Sequence, residues 1–465
     1  MRTTTGRCGI PRAAPPAHAR AAATLAVAVK VLVPPVARLY WPLLMLAVVL
    51  AVSPREGESS VRPDRTVAGL SLALRAVLTV QQEGAERFIL VVGEGEGELG
   101  ATLAADGRVS AELSAVVEAP GGGGVLTALA KVVDEPFLLA GHDVVVQPAV
   151  YRGLIEHDRD GAIGVLATRQ GEVLGPLWGT PELLAVAPGD DDLGVLLERD
   201  DVVSWDVGDR WAFRADSKAG RRAILGGLLG DCRKPVDGIV SRHLNRHVSL
   251  LVSRLLVNTP ITPNAMTAVT FGVALVGVAF VARGGYEATL LGAVLMQLNS
   301  ILDGCDGELA RLRFQGSKLG QWLDTLGDDV SNILYWAALG FGAAQLAGPW
   351  AFWLSLCGWV AAGANLLAAV QWYALLWGLG SGDLYALQAD DAPPKPGFVG
   401  GVVRFANLVL KQDFFILFLA CLAAAGVVHQ SLPLFAVGAL VTLGAATVRT
   451  VRALAQRRAR QPNRR

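Results

Sequence analysis

Charge is what this sequence has least of. Between residues 330 and 382 there is no Asp, Glu, Lys or Arg, and between 414 and 448 there is again none. Of 465 residues only 18% are charged while 52% are hydrophobic, against about 25% charged in ordinary soluble chains. Such gaps exclude a disordered chain and point to a membrane-embedded part. Net charge is absent too: 41 basic and 41 acidic residues balance, so there is no bulk basic surface for nucleic acid. The five cysteines, Cys8, Cys232, Cys305, Cys357 and Cys421, form no C-x-x-C pair and have no histidine at zinc spacing. That excludes a disulfide framework and a structural zinc site. The length calls for at least two folded units.

A bilayer-crossing helix needs about 20 mostly apolar residues. Divided at its turn signals, the tract after Asn264 holds six such segments, near 265–282, 286–303, 322–346, 350–378, 414–428 and 434–448. Buried helices of a large soluble protein are the alternative, but they are usually shorter and interrupted by charge. Arg311, Arg313, Lys318, Lys395, Arg404, Lys411 and the run 457–465 fall in loops on one side, and Arg283 alone falls on the other. The positive-inside rule then places both termini in the cytoplasm, in an integral protein of the cell inner or plasma membrane.

The first half reads differently. Over about 44–230, short apolar runs such as Leu46 to Val52, Phe88 to Val92 and Phe137 to Ala140 alternate with helical patterns, which predicts a soluble α/β domain on a parallel, doubly wound sheet. Between 235 and 257, Ile239, Leu244, Val248, Leu251, Val252 and Leu255 share one helical face, with Arg242, Arg246 and Arg254 elsewhere. The pattern is that of an amphipathic helix lying at the membrane interface. Residues 1–43 hold several arginines and no acid. They mimic a signal peptide, yet their apolar core, 21–29, is short and is followed by Lys30 and Pro34-Pro35; an exported first domain would also contradict the orientation. They read as a disordered or mis-started extension, and 456–465 as a basic tail.

At the end of the second segment and the start of the third, four acids fall into helically spaced pairs. Asp303 and Asp306 are three apart and Asp324 and Asp328 four apart, so each pair occupies one helix face. Carboxylates massed at a membrane boundary repel one another and lose hydration, which marks them as functional candidates. A divalent cation resolves the repulsion, and oxygen ligands without Cys or His select Mg²⁺ or Mn²⁺ over zinc. The alternative is a solvated acidic helix end.

The pattern Asp303-x2-Asp306-Gly307-x2-Ala310-Arg311-x8-Gly320-x3-Asp324-x3-Asp328 resembles the signature of the CDP-alcohol phosphotransferases, membrane enzymes with a six-helix body that matches about 235–455 here. The resemblance implies transfer of a substituted phosphate from a CDP-alcohol, either CDP-diacylglycerol or a CDP-polyol, to an acceptor hydroxyl with release of CMP. It makes Asp303, Asp306 and Asp324 metal ligands and Asp328 the catalytic base and a further ligand. Gly307, Ala310, Arg311 and Gly320 fall at the CDP-binding positions. Glycines there allow close approach of the nucleotide or tight helix packing, and Arg311 either forks onto phosphate or anchors the inside loop. Thr262-Pro263-Asn264-Ala265-Met266-Thr267 resembles the entry to the first membrane helix in that family, where Asn264 meets the cytidine or its phosphates, or caps the helix. A homodimer in contact with membrane lipid is also implied.

The order of runs over 44–230 resembles sugar-phosphate nucleotidyltransferases. Asp143 fits the position of a metal-binding aspartate there, with Asp206 or Asp209 as a second. The stretch 50–57 lacks the leading glycine of the phosphate loop, and Pro54 has no N–H to offer, so the domain reads as degenerate. The Gly121 to Gly124 run reads as a flexible loop. Fusion of two such domains resembles the bifunctional inositol-phosphate cytidylyltransferase and di-inositol-phosphate-phosphate synthases, which implies an inositol phosphate or another polyol phosphate as acceptor. The alternatives are a bifunctional enzyme that also makes its CDP-polyol, and a catalytically silent membrane scaffold.

Overall fold

The computed structural model describes residues 45–51, 61–93, 95–119, 125–157, 163–184, 201–234, 237–379 and 411–460. The expected extension, the degenerate loop at 52–57, the Gly121 to Gly124 run, Lys395, Arg404 and the last five residues lie outside these. From Leu46 onward the chain packs as one unit.

The α/β part is built on a seven-stranded sheet of order β10-β8-β9-β6-β1-β4-β5. Its strands are β1 Met45–Ala51, β4 Ala85–Gly93, β5 Glu112–Ala119, β6 Phe137–Gly141, β8 Gly164–Arg169, β9 Glu172–Gly179 and β10 Val202–Asp206. Two short ladders flank it, β2 Thr66–Val67 with β3 Leu70–Ser71, and β7 Val144–Val146 with β11 Ala212–Arg214. The helices of this part are α1 Leu72–Gln82, α2 Glu98–Ala104, α3 Val125–Leu129, α4 Pro148–Glu156 and α5 Lys218–Asp231. β1 is central and covered on both faces, so its sequence MLAVVLA is continuous rather than alternating. Leu46, Val48 and Val49 are at most 2% exposed, and burying each contributes about 1.5–3 kcal/mol.

The expected all-parallel sheet is corrected at β9. β1 pairs with β6, β4 with β5 and β10 with β8 in parallel, but β9 runs antiparallel to both β6 and β8. The cause is local. Gln170 and Gly171 both take positive φ, 54° and 87°, the geometry of a two-residue hairpin turn whose twist matches the strands. That turn sends β9 straight back along β8, where a parallel neighbour would need a crossover.

The helical part comprises α6 Arg246–Leu256, α7 Pro263–Ala282, α8 Tyr286–Leu302, α9 Gly304–Leu312, α10 Lys318–Ala344, α11 Ala351–Leu379, α12 Gln412–Ala424 and α13 Leu432–Arg460. Among the described residues four stretches are long and apolar enough to cross a membrane: Pro263–Ala282, Tyr286–Leu312, Ala351–Tyr373 and His429–Arg452. Of the six segments read from sequence, two fall short of this standard. α10 carries Lys318, Asp324, Asp328 and Asp329, and the 13 residues of α12 extend about 20 Å, less than a hydrocarbon core of about 30 Å. Glycines bring neighbouring helices together. A β-carbon on Gly292 would stand 2.5 Å from Gly277 O, and one on Gly358 would stand 2.4 Å from Gly340 Cα.

The segment before α7 has the two-sidedness expected of it, with its apolar side outward and its polar side against the protein. Leu244, Val248, Leu251 and Leu255 are exposed, whereas Arg246, Ser249 and Ser253 are buried. Arg246 therefore belongs to the inward face, drawn there by Glu308.

Candidate metal centre

Two helix junctions deliver the acids. α8 runs on through Asp303 into α9, with Asp303 keeping helical dihedrals, so Asp303 and Asp306 stay in one helical register. α10 starts at the Ser317 cap, whose hydroxyl accepts from Gly320 N at 2.9 Å, and carries Asp324 and Asp328 one turn apart. Carboxylate oxygens of Asp303, Asp324 and Asp328 lie within 4.8 Å of one another. Among the described residues this is the one group of three or more His, Cys, Asp or Glu side chains with metal-ligand spacing.

Asp306 stands apart from the three. It is 7% exposed, and its carboxylate accepts from the Thr267 hydroxyl and from the Gly307 amide. Thr267 closes the Thr262 to Thr267 stretch, and the structure connects it to the acids. The helix cap there is Thr262, whose hydroxyl accepts from Ala265 N at 3.2 Å, with Pro263 at the first turn. Asn264 is thus not the cap. Its Oδ1 occupies the space beside Gly320, where a β-carbon would come within 2.9 Å of it. At Gly307 a β-carbon would meet Arg311 Nη1 at 3.3 Å. Arg311 Nη2 donates to Cys232 O at 3.4 Å, tying the motif to the chain that follows α5. Ala310 is half-buried on α9, and Cys305 is buried with its thiol 3.5 Å from Ser249 O.

Sequence reasoning missed Glu308. It is 0% exposed and accepts at 2.7 Å from each of Arg246 Nη1, Ser249 Oγ and Ser253 Oγ. Arg246 also donates to both oxygens of Asp237, at 2.9 and 3.0 Å. Burial pushes the Asp237 carboxyl up, but the bonds and charge of Arg246, together with the amide and charge of Lys234, outweigh it and hold the group below its usual range. A signal was present: Ser249 and Ser253 four apart and Arg246 three before Ser249 make a polar stripe along one face of the helix. Gly304 leaves room for the contact, since a β-carbon there would be 2.8 Å from Arg246 Nη1.

In the α/β part Asp143 follows β6 and pairs with Arg214 Nη1 at 3.3 Å. Asp206 turns back onto Gly208 N at 2.8 Å. It lines, with Asp209, His157, Trp205 and Arg210, an open cleft of about 680 Å³ at the end of β10. Among the described residues Asp143 belongs to no group of three or more His, Cys, Asp or Glu side chains with metal-ligand spacing.

Residues 260–393 match the family model for CDP-alcohol phosphatidyltransferase. The bifunctional IPC transferase and DIPP synthase of Rubrobacter xylanophilus is 30% identical over 331 residues, covering 61% of this chain and 73% of that protein. The chain belongs to the CDP-alcohol phosphatidyltransferase family. A protein of the same description from Aquifex aeolicus is 42% identical over 116 residues, and there the match spans 25% of each chain. With the Thermococcus kodakarensis protein, 45% identical over 105 residues, it spans 23% of each. The chain thus matches about a quarter of the length of these two relatives. Among solved structures, the inositol-1-phosphate CTP transferase from T. maritima aligns with a TM-score of 0.33 and 19% identity, covering 39% of this chain and 93% of that one.

The family's acids fall here on side chains able to hold a divalent cation. The donors are hard carboxylate oxygens gathered at one point, and neither thiol nor imidazole joins them, which suits Mg²⁺ or Mn²⁺.

Proposed function

We propose that the chain is a metal-dependent CDP-alcohol phosphotransferase that moves a substituted phosphate from a CDP-alcohol to an acceptor hydroxyl and releases CMP. The observation that carries the reading is the convergence of Asp303, Asp324 and Asp328 within 4.8 Å. Asp306, whose oxygens keep lone pairs beyond the Thr267 and Gly307 bonds, serves as the fourth ligand. A bound divalent cation supplies positive charge against the donor's diphosphate, which lowers the cost of charge on the departing CMP. Asp328 accepts the proton of the acceptor hydroxyl as its oxygen bonds to the phosphorus bearing the alcohol and the bond from that phosphorus to CMP breaks. Arg311, exposed beside Gly307, forks onto phosphate oxygens, and Asn264 and Gly320 frame the nucleotide. The six apolar segments, the four long stretches together with α10 and the 414–428 segment that holds the shorter α12, cross the bilayer with both termini cytoplasmic, and the outward stripe of α6 rests in the interface.

The acceptor is a polyol phosphate, in keeping with relatives described as IPC transferases and DIPP synthases, and the product a phospholipid or phosphodiester. The 44–230 region carries no nucleotidyl transfer of its own; the pairing of Asp143 with Arg214 favours this. A second reading, a bifunctional enzyme, is favoured by the description those relatives share. Purified chain with Mg²⁺ or Mn²⁺ and a panel of CDP-alcohols and polyol phosphates is expected to release CMP, with mass spectrometry naming both substrates. No CMP from any pair would sink the proposal. Pyrophosphate release from CTP and a polyol phosphate, lost in Asp143→Ala, would establish the bifunctional reading instead.

A further inference from the structure

A helix leaves its last carbonyls without intrahelical partners; at the end of α9 those of Leu309, Ala310 and Arg311 are taken by the amides of 313–315, while those of Leu312 and the cap Arg313 are taken by arginines of the α/β part. Arg75, on α1 and 1% exposed, donates through Nη2 to Leu312 O, and also to Val67 O and Ala68 O, each at 3.0 Å. Arg108 Nη1 donates to Arg313 O at 3.0 Å, while its Nε and Nη2 are gripped by both oxygens of Asp106 at 2.8 and 2.6 Å. Arg313 points its own guanidinium the other way, into the carbonyls of Leu256, Val257, Thr259 and Ile261 at 2.6–2.9 Å. Gly69 N adds a bond to Asn258 Oδ1 at 3.1 Å. Only a glycine fits there, since φ is +77° and a β-carbon would stand 2.5 Å from Val257 O.

Among the described residues no carboxylate pairs with Arg75, and its Nε and Nη1 have no partner, so its burial is costly. Val67, Ala68 and Leu72 also share an apolar cluster with Leu309 and Leu312 of α9, a contact that holds the parts together but by itself would let α9 slide or turn. Directed bonds to Leu312 O and Arg313 O fix its end in position and rotation. Leu312 is six residues beyond Asp306, about 9 Å along the helix, and a metal site tolerates about 0.5 Å of error.

We propose that Arg75 and Arg108 are positioning residues for the transfer reaction: from the α/β part they hold the end of α9, and so set where Asp303 and Asp306 stand against Asp324 and Asp328. The proposal rests on the reading of these acids as a metal site. It gives the α/β part a role in the transfer whether or not that part has chemistry of its own.

The test uses the full-length chain in nanodiscs, with Arg75→Met, Arg75→Lys and Arg108→Gln. Arg108 is about a quarter exposed, so its variant keeps the test open where Arg75→Met fails to fold. Hydrogen exchange across 309–316 is expected to quicken. Mn²⁺, followed by electron paramagnetic resonance, should bind about 10–100-fold more weakly. The kcat for CMP release should fall by a similar factor with KM for the donor within about twofold, and Arg75→Lys should recover part of each loss. Unchanged exchange and Mn²⁺ affinity in Arg108→Gln overturn the proposal. So does a loss accompanied by faster exchange throughout α7–α13, which would mean that the arginines only hold the fold. A wild-type chain that neither binds Mn²⁺ nor releases CMP defeats the metal reading instead, and the exchange at 309–316 then still decides whether the arginines hold α9.

Discussion

Replacing Glu308 by alanine should destabilise the helical part more than any single change at Asp303, Asp306, Asp324 or Asp328. The side chain is wholly buried and is the shared acceptor for Arg246, Ser249 and Ser253 at 2.7 Å each. Removing one partner of a buried ion pair costs about 3–5 kcal/mol, because the other charge is left behind. Here Arg246 keeps two bonds to Asp237, which moves the estimate to the lower end. Two orphaned hydroxyls add about 1 kcal/mol each, partly relieved by water entering the gap. The sum is about 4 kcal/mol, read as a shift in reversible unfolding of the chain in mixed micelles. The double variant Glu308→Ala with Arg246→Met should cost less than the sum of the singles by about 1–3 kcal/mol, since the second change removes the stranded charge. A loss under about 1 kcal/mol in Glu308→Ala, or strict additivity in the pair, would refute the claim that this triad locks α6 to α9.

Asp324→Asn should leave the unfolding transition near that of wild type, because it relieves repulsion, while lowering CMP release by about 10²-fold or more and weakening Mn²⁺ binding; activity above a tenth of wild type would remove Asp324 from the ligand set. Hydrogen bonds from Arg108 hold the Asp106 carboxyl below its usual range. The native state thus binds the proton less readily than the unfolded chain, so this pair's contribution is present above about pH 4 and fades as pH falls through the lower native value. Asp106→Asn should flatten that acid limb by less than about 1 kcal/mol, since both partners of the pair keep partial contact with solvent, and an acid limb identical to wild type would contradict the pairing.

Much of the architecture was legible in the linear order of residues. Runs without charge announce helices that must find apolar surroundings, and they locate α7, α8, α11 and α13. Spacings of three and four put Asp303 with Asp306, and Asp324 with Asp328, on single faces, because a helix turns every 3.6 residues. Local chemistry of this kind depends on neighbours along the chain. Partners distant in sequence were not legible. Glu308 and Arg246 are 62 residues apart and Arg75 and Leu312 are 237 apart, and no periodicity says which polar stripe will meet which. The same limit explains α6, whose two faces were plain from the sequence while burial of the polar one followed from Glu308 across the gap. It explains β9 as well: the turn at Gln170-Gly171 is local, but its consequence, an antiparallel strand inserted between β8 and β6, is decided by the competition of whole strands for places in the sheet. The sequence determined which acids share a helix face. The tertiary structure decided that three acids converge, that Asp306 is turned to Thr267 and Gly307, and that two arginines of the α/β part close on α9, because direction and distance between remote groups exist only once the chain has packed.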